Sequence, residues 1–115
     1  MPWAWGPLPL FKAEFFKALA HPLRIRILET LVARHRSVQE LQEALGADQP
    51  TVSQQLAVLR AKNIVTASKE GTTVRYALRD PAVRELLEVA RRIFNNQLIG
   101  SQSMLRELRR ERRPR

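Results

Sequence analysis

Apolar side chains recur at helical spacing through the first part of the chain. Residues 10–20 predict a first helix. Its apolar side carries Phe11, Phe15 and Leu19. This helix ends before Pro22, because a residue that precedes a proline avoids the helical region of backbone space. Proline suits the first turn of a helix, so Pro22 is predicted to open a second amphipathic helix.

Two shorter apolar stripes follow and are separated by a turn. Ser37 is followed three residues later by Glu40, a capping-box spacing that predicts the start of a helix. Gly46 lies in the turn, and Asp48 is placed to N-cap the next helix. This arrangement predicts a helix-turn-helix.

The helix after Asp48 has two contrasting faces. Val52, Leu56 and Leu59 share an apolar face. The opposite face carries small or amide-bearing residues, which are Pro50, Ser53, Gln54, Ala57 and Ala61. Alanines let a helix approach a groove closely, and Ser and Gln offer donors and acceptors that match base edges. We interpret this segment as the helix that reads DNA.

Alternation replaces helical spacing from Ile64 onward. The stretch to Leu78 is rich in β-branched residues and contains Gly71 in its middle, which predicts a β-hairpin with its turn at residues 70–72. A helix-turn-helix followed by such a hairpin is a winged helix. The predicted fold class is therefore mainly α with a β-hairpin wing.

A long helical pattern follows Asp80, which we interpret as its N-cap. The apolar stripe runs from Val83 to Leu108 and is longer than one small core can cover. Gly100 and Ser101 are positions at which this helix can be interrupted. A second copy of the helix would cover it most simply, so a homodimer is predicted through the first and last helices. The predicted division is an extended tail at 1–9, a winged helix-turn-helix domain at 10–100 and a basic, fraying extension at 101–115.

Composition narrows the possible partners. The chain has 115 residues, enough for one domain, and a net charge of +9 that favours a polyanion. It has no cysteine, which excludes disulfides and thiolate metal sites, and no apolar run long enough to span a membrane. The N-terminus lacks the basic start of a secretory signal, so the cytoplasm is expected.

The positive charge is concentrated outside the helix-turn-helix. Residues 37–63 contain two basic and three acidic residues, a net charge of −1. Affinity for a polyanion must therefore come from flanking segments, with Lys69 and Arg75 of the hairpin among the contributors.

The chain resembles the arsenical-resistance type (ArsR/SmtB) repressors in three stretches, which read ALAHPLRIRILETL, DQPTVSQQLAVLRAKNIV and KEGTTVRYAL. The similarity covers about residues 11–95. It implies a winged-helix homodimer that binds operator DNA and releases it when a metal or other inducer binds. It also implies a reading helix at 49–55, a wing at 69–73 and a dimer interface on the first and last helices.

All but one of the family's metal ligands lack a counterpart at the matching positions. Ser37 and Gln39 occupy the places of a cysteine pair in members that sense metals on the first helix of the helix-turn-helix. In members that sense metals on the last helix, only Asp80 matches a ligand, and the other places hold Ala82, Ile93 and Asn96. No metal site and no cofactor are predicted. The sequence does not identify an inducer or establish that one exists.

The predicted partners are double-stranded operator DNA with an inverted repeat and a second copy of the chain. The predicted DNA contacts are Ser37, Gln39, Gln49, Pro50, Thr51, Ser53, Gln54, Gln55, Lys69, Thr72, Thr73 and Arg75. The predicted dimer contacts are Phe11, Phe15, Leu19, Leu86, Ala90, Ile93 and Phe94. We expect Trp3 and Trp5 to pack on the body of the protein or across the dimer.

Two other function classes compete with a DNA-binding transcriptional regulator. The sequence shows no catalytic nucleophile beside a general base, no phosphate-binding loop and no pair of catalytic carboxylates. An enzyme is therefore rejected. The alternative is a protein-interaction module whose winged helix and basic ends bind an acidic protein. Steep salt dependence together with a sequence preference in DNA binding would distinguish the two.

Overall fold

The structure is a computed structural model that describes residues 6–111. Trp3 and Trp5 lie outside the described residues. Within them the chain forms a mainly helical fold with one small antiparallel sheet. The elements are α1 (Pro7–Leu19), α2 (Pro22–Ala33), β1 (Arg36–Ser37), α3 (Val38–Leu45), α4 (Gln49–Ala61), β2 (Val65–Glu70), β3 (Thr73–Leu78), α5 (Ala82–Gln97) and α6 (Gln102–Glu111). They divide into two compact units, one ending at Asp80 and the other beginning at Pro81.

The core of the first unit forms where α2, α3, α4 and the sheet meet. Apolar residues from each of these helices and from the start of β2 are fully or almost fully buried. They are Ile27, Leu28, Leu31, Leu41, Val52, Leu56, Leu59, Ile64 and Val65. The stripe predicted for α4 is therefore confirmed. The core holds α4 rigidly, because each of the three apolar side chains of this helix is removed from water.

Side-chain caps fix the ends of α3 and α4. The Ser37 hydroxyl accepts a hydrogen bond from the Glu40 N–H at 3.2 Å, and the Glu40 carboxylate accepts one from the Ser37 N–H at 2.9 Å. Gly46 ends α3 in the left-handed conformation at φ 66°, which glycine adopts without steric cost. Asp48 then caps α4 by accepting from the Thr51 N–H at 2.9 Å. All three predictions for the helix-turn-helix are confirmed.

The sheet has three strands in the order β1-β3-β2. Strands β2 and β3 form the predicted hairpin, in which Glu70 pairs with Thr73 and Gly71 takes a positive φ of 65° in the two-residue turn. Strand β1 was not predicted, because two residues are too few to show alternation. It pairs Ser37 with Arg75 and so attaches the hairpin to the start of α3.

Helix α1 begins earlier than the sequence predicts. Its first residue is Pro7, so residues 7–9 belong to a helix and the prediction of an extended tail is wrong for them. Prolines are tolerated there because the first four N–H groups of a helix have no acceptor within the helix. The second helix begins at Pro22, as predicted, where the His21 side chain accepts a hydrogen bond from the Leu23 N–H.

Within the described residues, the second unit consists of two helices, and the break between them includes Gly100 and Ser101, where the sequence allows an interruption. The predicted fraying is wrong for residues 102–111. Helix α5 begins at Ala82 with Pro81 at the N-cap position, which corrects the assignment of Asp80. Helix α6 packs on α5 after a break at 98–101. Leu105 is buried, and Arg91 donates a hydrogen bond to the Leu108 carbonyl and pairs with Glu111 at 3.6 Å. Residues 102–111 are therefore an ordered helix.

Candidate nucleic-acid interface

The exposed face of α4 is polar and is held in place by the buried face beneath it. Gln49, Pro50, Thr51 and Gln54 are exposed, as the prediction of DNA contacts requires, and Ser53 is half-buried. The Gln49 amide donates to the Ser53 hydroxyl at 3.3 Å, which limits the freedom of both side chains.

Gln55 is placed differently from its neighbours on α4. It lies on the side that carries Val52 and Leu59, and its amide oxygen is buried. The structure therefore does not bring Gln55 to the exposed face where Gln54 lies. A glutamine amide suits base readout, but the position of Gln55 on the helix turns its side chain toward the body of the first unit.

The cap at the start of α4 also shapes its electrostatics. Hydrogen bonds from the Thr51 side chain and backbone N–H lower the pKa of the Asp48 carboxyl. Asp48 therefore carries a negative charge at the helix N-terminus and holds Thr51 to itself. The N-terminal turn thus presents amides and hydroxyls rather than cations.

The tip of the wing is exposed and carries one cation. Lys69, Thr72 and Thr73 surround the turn at Gly71, and all are exposed. Lys69 forms no ion pair among residues 6–111. These three predicted contacts lie together, as the hairpin register requires.

Arg75 does not join the wing tip. Its guanidinium lies 2.7 Å from the Glu40 carboxylate through Nη1 and 3.3 Å from the Glu70 carboxylate through Nε, and its side chain is only 25% exposed. The prediction that Arg75 supplies charge to DNA does not match this placement, because two carboxylates occupy the guanidinium. The sequence did not indicate Glu40 as a site residue, because its position three residues after Ser37 was explained by the capping box.

Of the two predicted DNA contacts at the start of α3, one is exposed and the other forms the helix cap. Gln39 is exposed in the first turn, whereas Ser37 is half-buried and serves as the N-cap. The hydrogen bond from the Ser37 N–H lowers the pKa of Glu40 to about 2. Partial burial opposes this shift, and hydrogen bonds from Arg75 and Arg34 add to it. Glu40 is therefore ionised throughout the neutral range.

An open groove of about 440 Å³ lies between α4 and β3. Its lining consists of Ser53, Leu56, Ala57, Arg60, Ala61 and Tyr76. The sequence placed both alanines on the outward face of α4. It did not indicate Arg60 and Tyr76 as site residues. Tyr76 could not be predicted there, because it reaches the groove only through the pairing of β3 with β2, the strand that packs on α4.

Large apolar side chains remain exposed on α1 and on α5. In α1, Phe11 is 71% exposed, and Phe15 and Leu19 are half-buried. In α5, Ile93 is 49% and Phe94 50% exposed, and Leu86 and Ala90 are half-buried. Phe16 and Leu8 of α1 are exposed as well and were not among the predicted contacts. Each helix thus presents an apolar surface.

The described part of the chain offers no obvious cation site. Across residues 6–111, no group of three or more His, Cys, Asp or Glu side chains could hold a metal ion. No helix in this range is long and apolar enough to cross a membrane. The exposed apolar residues of α1 and α5 therefore do not form a spanning segment.

Known proteins share this sequence and geometry. A family model described as bacterial regulatory protein, arsR family, matches residues 21–67. The HTH-type transcriptional regulator Rv0081 of Mycobacterium tuberculosis is 47% identical over 104 residues, which cover 90% of this chain and 91% of that protein. The crystal structure of Rv0081 matches with a TM-score of 0.76 at 48% identity, covering 82% of this chain and 95% of that chain.

Two further solved structures are similar to this one. The transcriptional repressor BigR from Xylella fastidiosa matches with a TM-score of 0.67 at 38% identity, covering 71% of this chain and 84% of its own. The homodimeric winged helix-turn-helix DNA-binding domain Mb0332 from Mycobacterium bovis matches with a TM-score of 0.74 at 28% identity, covering 85% and 94%. The predicted fold class and family resemblance are confirmed. The chain belongs to the ArsR family of bacterial regulatory proteins and is a DNA-binding transcriptional regulator, not an enzyme.

Proposed function

We propose that the chain is a homodimeric repressor that binds an inverted-repeat operator. The observation that carries this proposal is the coexistence of a rigid polar face on α4 with apolar faces left uncovered on α1 and α5. The polar face suits DNA, and the apolar faces suit a second copy. The relatives support the same interpretation, since Mb0332 is homodimeric and BigR is a repressor.

Dimerisation would remove the exposed apolar side chains from water. Burying an aromatic or branched side chain completely is worth about 1.5–3 kcal/mol. Phe11, Ile93 and Phe94 are each about half exposed or more, so a second copy has substantial area to cover. An isologous dimer places the same faces on both sides of a two-fold axis.

A two-fold axis determines the symmetry of the DNA site. Two reading helices related by that axis require half-sites that form an inverted repeat, with centres about one helical turn or a multiple apart. In each half-site Gln54 is the best-placed side chain for base readout, since it is exposed and carries both a donor and an acceptor. Lys69, Thr72 and Thr73 would contact the backbone beside it.

Release from the operator would require a signal, and all but one of the ligands of the metal-sensing members are absent here. Ser37 and Gln39 replace the cysteine pair, and Ala82, Ile93 and Asn96 replace three ligands on α5. We expect operator affinity to be insensitive to zinc, nickel, cadmium and arsenite at stoichiometric levels. A metal-dependent change of about tenfold would contradict this expectation.

The test uses the DNA beside the protein's own coding region. Labelled duplexes tiled across it are titrated at two salt concentrations, with a shuffled duplex of equal composition as control. We expect one duplex to bind at least about a thousandfold more tightly than the control, with affinity that falls steeply as salt rises. Equal affinity for all duplexes, or binding that ignores salt, would refute sequence-specific operator binding.

A further inference from the structure

Glu40 holds an acidic charge inside the unit that binds a polyanion. Its carboxylate accepts hydrogen bonds from the Ser37 N–H at 2.9 Å and the Arg75 guanidinium at 2.7 Å, and its second oxygen lies 3.4 Å from Arg34. The carboxylate therefore joins the end of α2, the strand β1, the helix α3 and the strand β3. The capping box accounts for the hydrogen bond from Ser37 but not for the contacts with Arg75 and Arg34.

The partner of Glu40 joins the wing to the same point. Arg75 uses Nη1 for Glu40 and Nε for Glu70, the last residue of β2, so one planar guanidinium contacts both α3 and the wing. The hydrogen bond to Glu40 and the ion pair with Glu70 use different edges of the guanidinium, a geometry that lysine cannot reproduce.

Backbone and side-chain links coincide at this point. Ser37 and Arg75 are backbone partners in the β1–β3 pairing, and Ser37 is also the residue whose N–H Glu40 caps. Strand β1 has two residues, so its ladder alone is a short attachment for a six-residue hairpin strand. A charge-assisted hydrogen bond is about twice as strong as a neutral one and strengthens this attachment.

We propose that Glu40 and Arg75 form a positioning pair that sets the wing against the start of α3, so that the wing and the reading helix contact one duplex together. This inference rests on the proposed DNA binding and assigns neither residue to the DNA surface. Lys69 at the wing tip makes the phosphate contact, and the pair determines where Lys69 lies.

The sign of one substitution separates positioning from simple electrostatics. Glu40→Gln removes a negative charge, which by Coulomb interaction alone raises affinity for DNA. It keeps an amide oxygen for the Ser37 N–H, so the cap of α3 is largely retained. Positioning requires the opposite sign, because the neutral amide holds Arg75 more weakly. Glu43→Gln is the matched control, since Glu43 lies on the same helix and forms no ion pair among the described residues.

The first experiment measures operator affinity and its salt dependence for full-length variants, each checked by circular dichroism for folding. We expect Glu40→Gln and Arg75→Lys each to weaken binding about fivefold or more, whereas Glu43→Gln leaves it equal or stronger. The salt slope of Glu40→Gln should fall by about 0.9 for each Lys69 that no longer reaches its phosphate, which is about 1.8 for the proposed dimer. Glu40→Gln that binds as tightly as Glu43→Gln, or Arg75→Lys that binds like the wild type, would overturn the proposal.

The second experiment tests whether the effect passes through the wing. Lys69→Gln should weaken binding in the wild-type background but have much less effect in the Glu40→Gln background, because Lys69 of a displaced wing already lies away from the phosphate. Additive effects of the two substitutions would show that Glu40 acts elsewhere. A general loss of stability would not produce this dependence of one substitution on the other.

A third readout needs no DNA and so distinguishes failure of this inference from failure of operator binding. Amide hydrogen exchange of β1 and β3 should be faster in Glu40→Gln and Arg75→Lys than in Glu43→Gln. Unchanged exchange would refute the positioning pair even in a protein that binds its operator. Faster exchange in a protein that binds no operator would support the attachment and refute only the DNA-binding function.

Discussion

The exposed faces of α4 and α5 differ in chemistry, although both belong to helices with a regular apolar stripe. Helix α4 buries Val52, Leu56 and Leu59 completely and shows water mostly polar or small side chains such as Gln54. Helix α5 buries Val83 but leaves Val89, Ile93 and Phe94 between 43% and 50% exposed. The first face is compatible with water and with the hydrated edges of bases, whereas the second gains free energy only from an apolar surface.

The difference agrees with our proposal that α4 contacts DNA and α5 contacts a second copy. A hydrophobic stripe on a helix predicts burial but does not say what buries it. In α4 the core of the first unit does so, and the helix becomes a rigid support for polar groups. In α5 part of the stripe has no cover within the described residues, which is why we assign it to a second copy.

The strongest way to break this comparison is to place a charge on the apolar face. Phe94→Arg should dissociate the proposed dimer, because an arginine replaces aromatic area at the interface with a group that must stay hydrated. Loss of two-site engagement should lower operator affinity about a hundredfold or more. Sedimentation at micromolar concentration and operator titration measure the two effects.

The matched control adds the same charge to a polar position of α5. Asn95→Arg, next to Phe94 in the chain but on a different side of the helix, should stay dimeric. A wild-type monomer under the same conditions would refute the assignment of the apolar faces to a second copy.

A smaller effect is expected on the polar face of α4. Gln54→Ala should cost about 1–3 kcal/mol at the operator and little on random DNA, because the amide can satisfy a specific base edge. Titration of both duplexes measures the difference, with Gln102→Ala on α6 as the control. Equal weakening on the two duplexes would mean that Gln54 contributes no base readout.

Local signals in the sequence predicted most of the fold, and most of the candidate DNA contacts lie at exposed positions. The helix-turn-helix could be predicted from its helix caps, which are Ser37 with Glu40 and Asp48 at the start of α4. Such caps depend on residues only about three positions apart. The Glu40–Arg75 pair could not be predicted, since its members are 35 positions apart and meet only through the β1–β3 register. The packing of α6 on α5 could not be predicted either, because Gly100 and Ser101 indicate a break but not the direction in which the chain continues.

The arginines of α6 should have a weaker and less specific influence than either helix face. Residues 101–115 carry six basic and two acidic residues, whereas the helix-turn-helix is slightly acidic. Arg109→Gln and Arg110→Gln, both at exposed positions, should leave sequence preference intact and reduce the log-log salt slope by about 0.9 for each phosphate that is no longer neutralised. Point substitutions are preferable to truncation because Leu105 is buried and its removal would disturb the α5–α6 pair.

The control for α6 removes the opposite charge. Glu107→Gln, also exposed, should leave the salt slope unchanged or raise it slightly. An unchanged slope for the two arginine variants would show that α6 contributes solubility and does not bind DNA. Sedimentation of each variant confirms that the dimer is intact.

The smallest effect concerns the pH dependence of stability and acts on the unit that contains α4. The Ser37 N–H and the guanidinium of Arg75 lower the pKa of Glu40 from 4.5 to about 2. A lowered pKa stabilises the folded state fully above the unfolded value of 4.5, and the contribution is lost as the pH falls toward 2. Wild type should therefore be more stable than Glu40→Gln at pH 7, and the difference should shrink between about pH 5 and about pH 2. Urea unfolding of both proteins across this range measures the difference. A gap that stays constant with pH would mean that the carboxylate is no better bound in the folded state than in the unfolded chain.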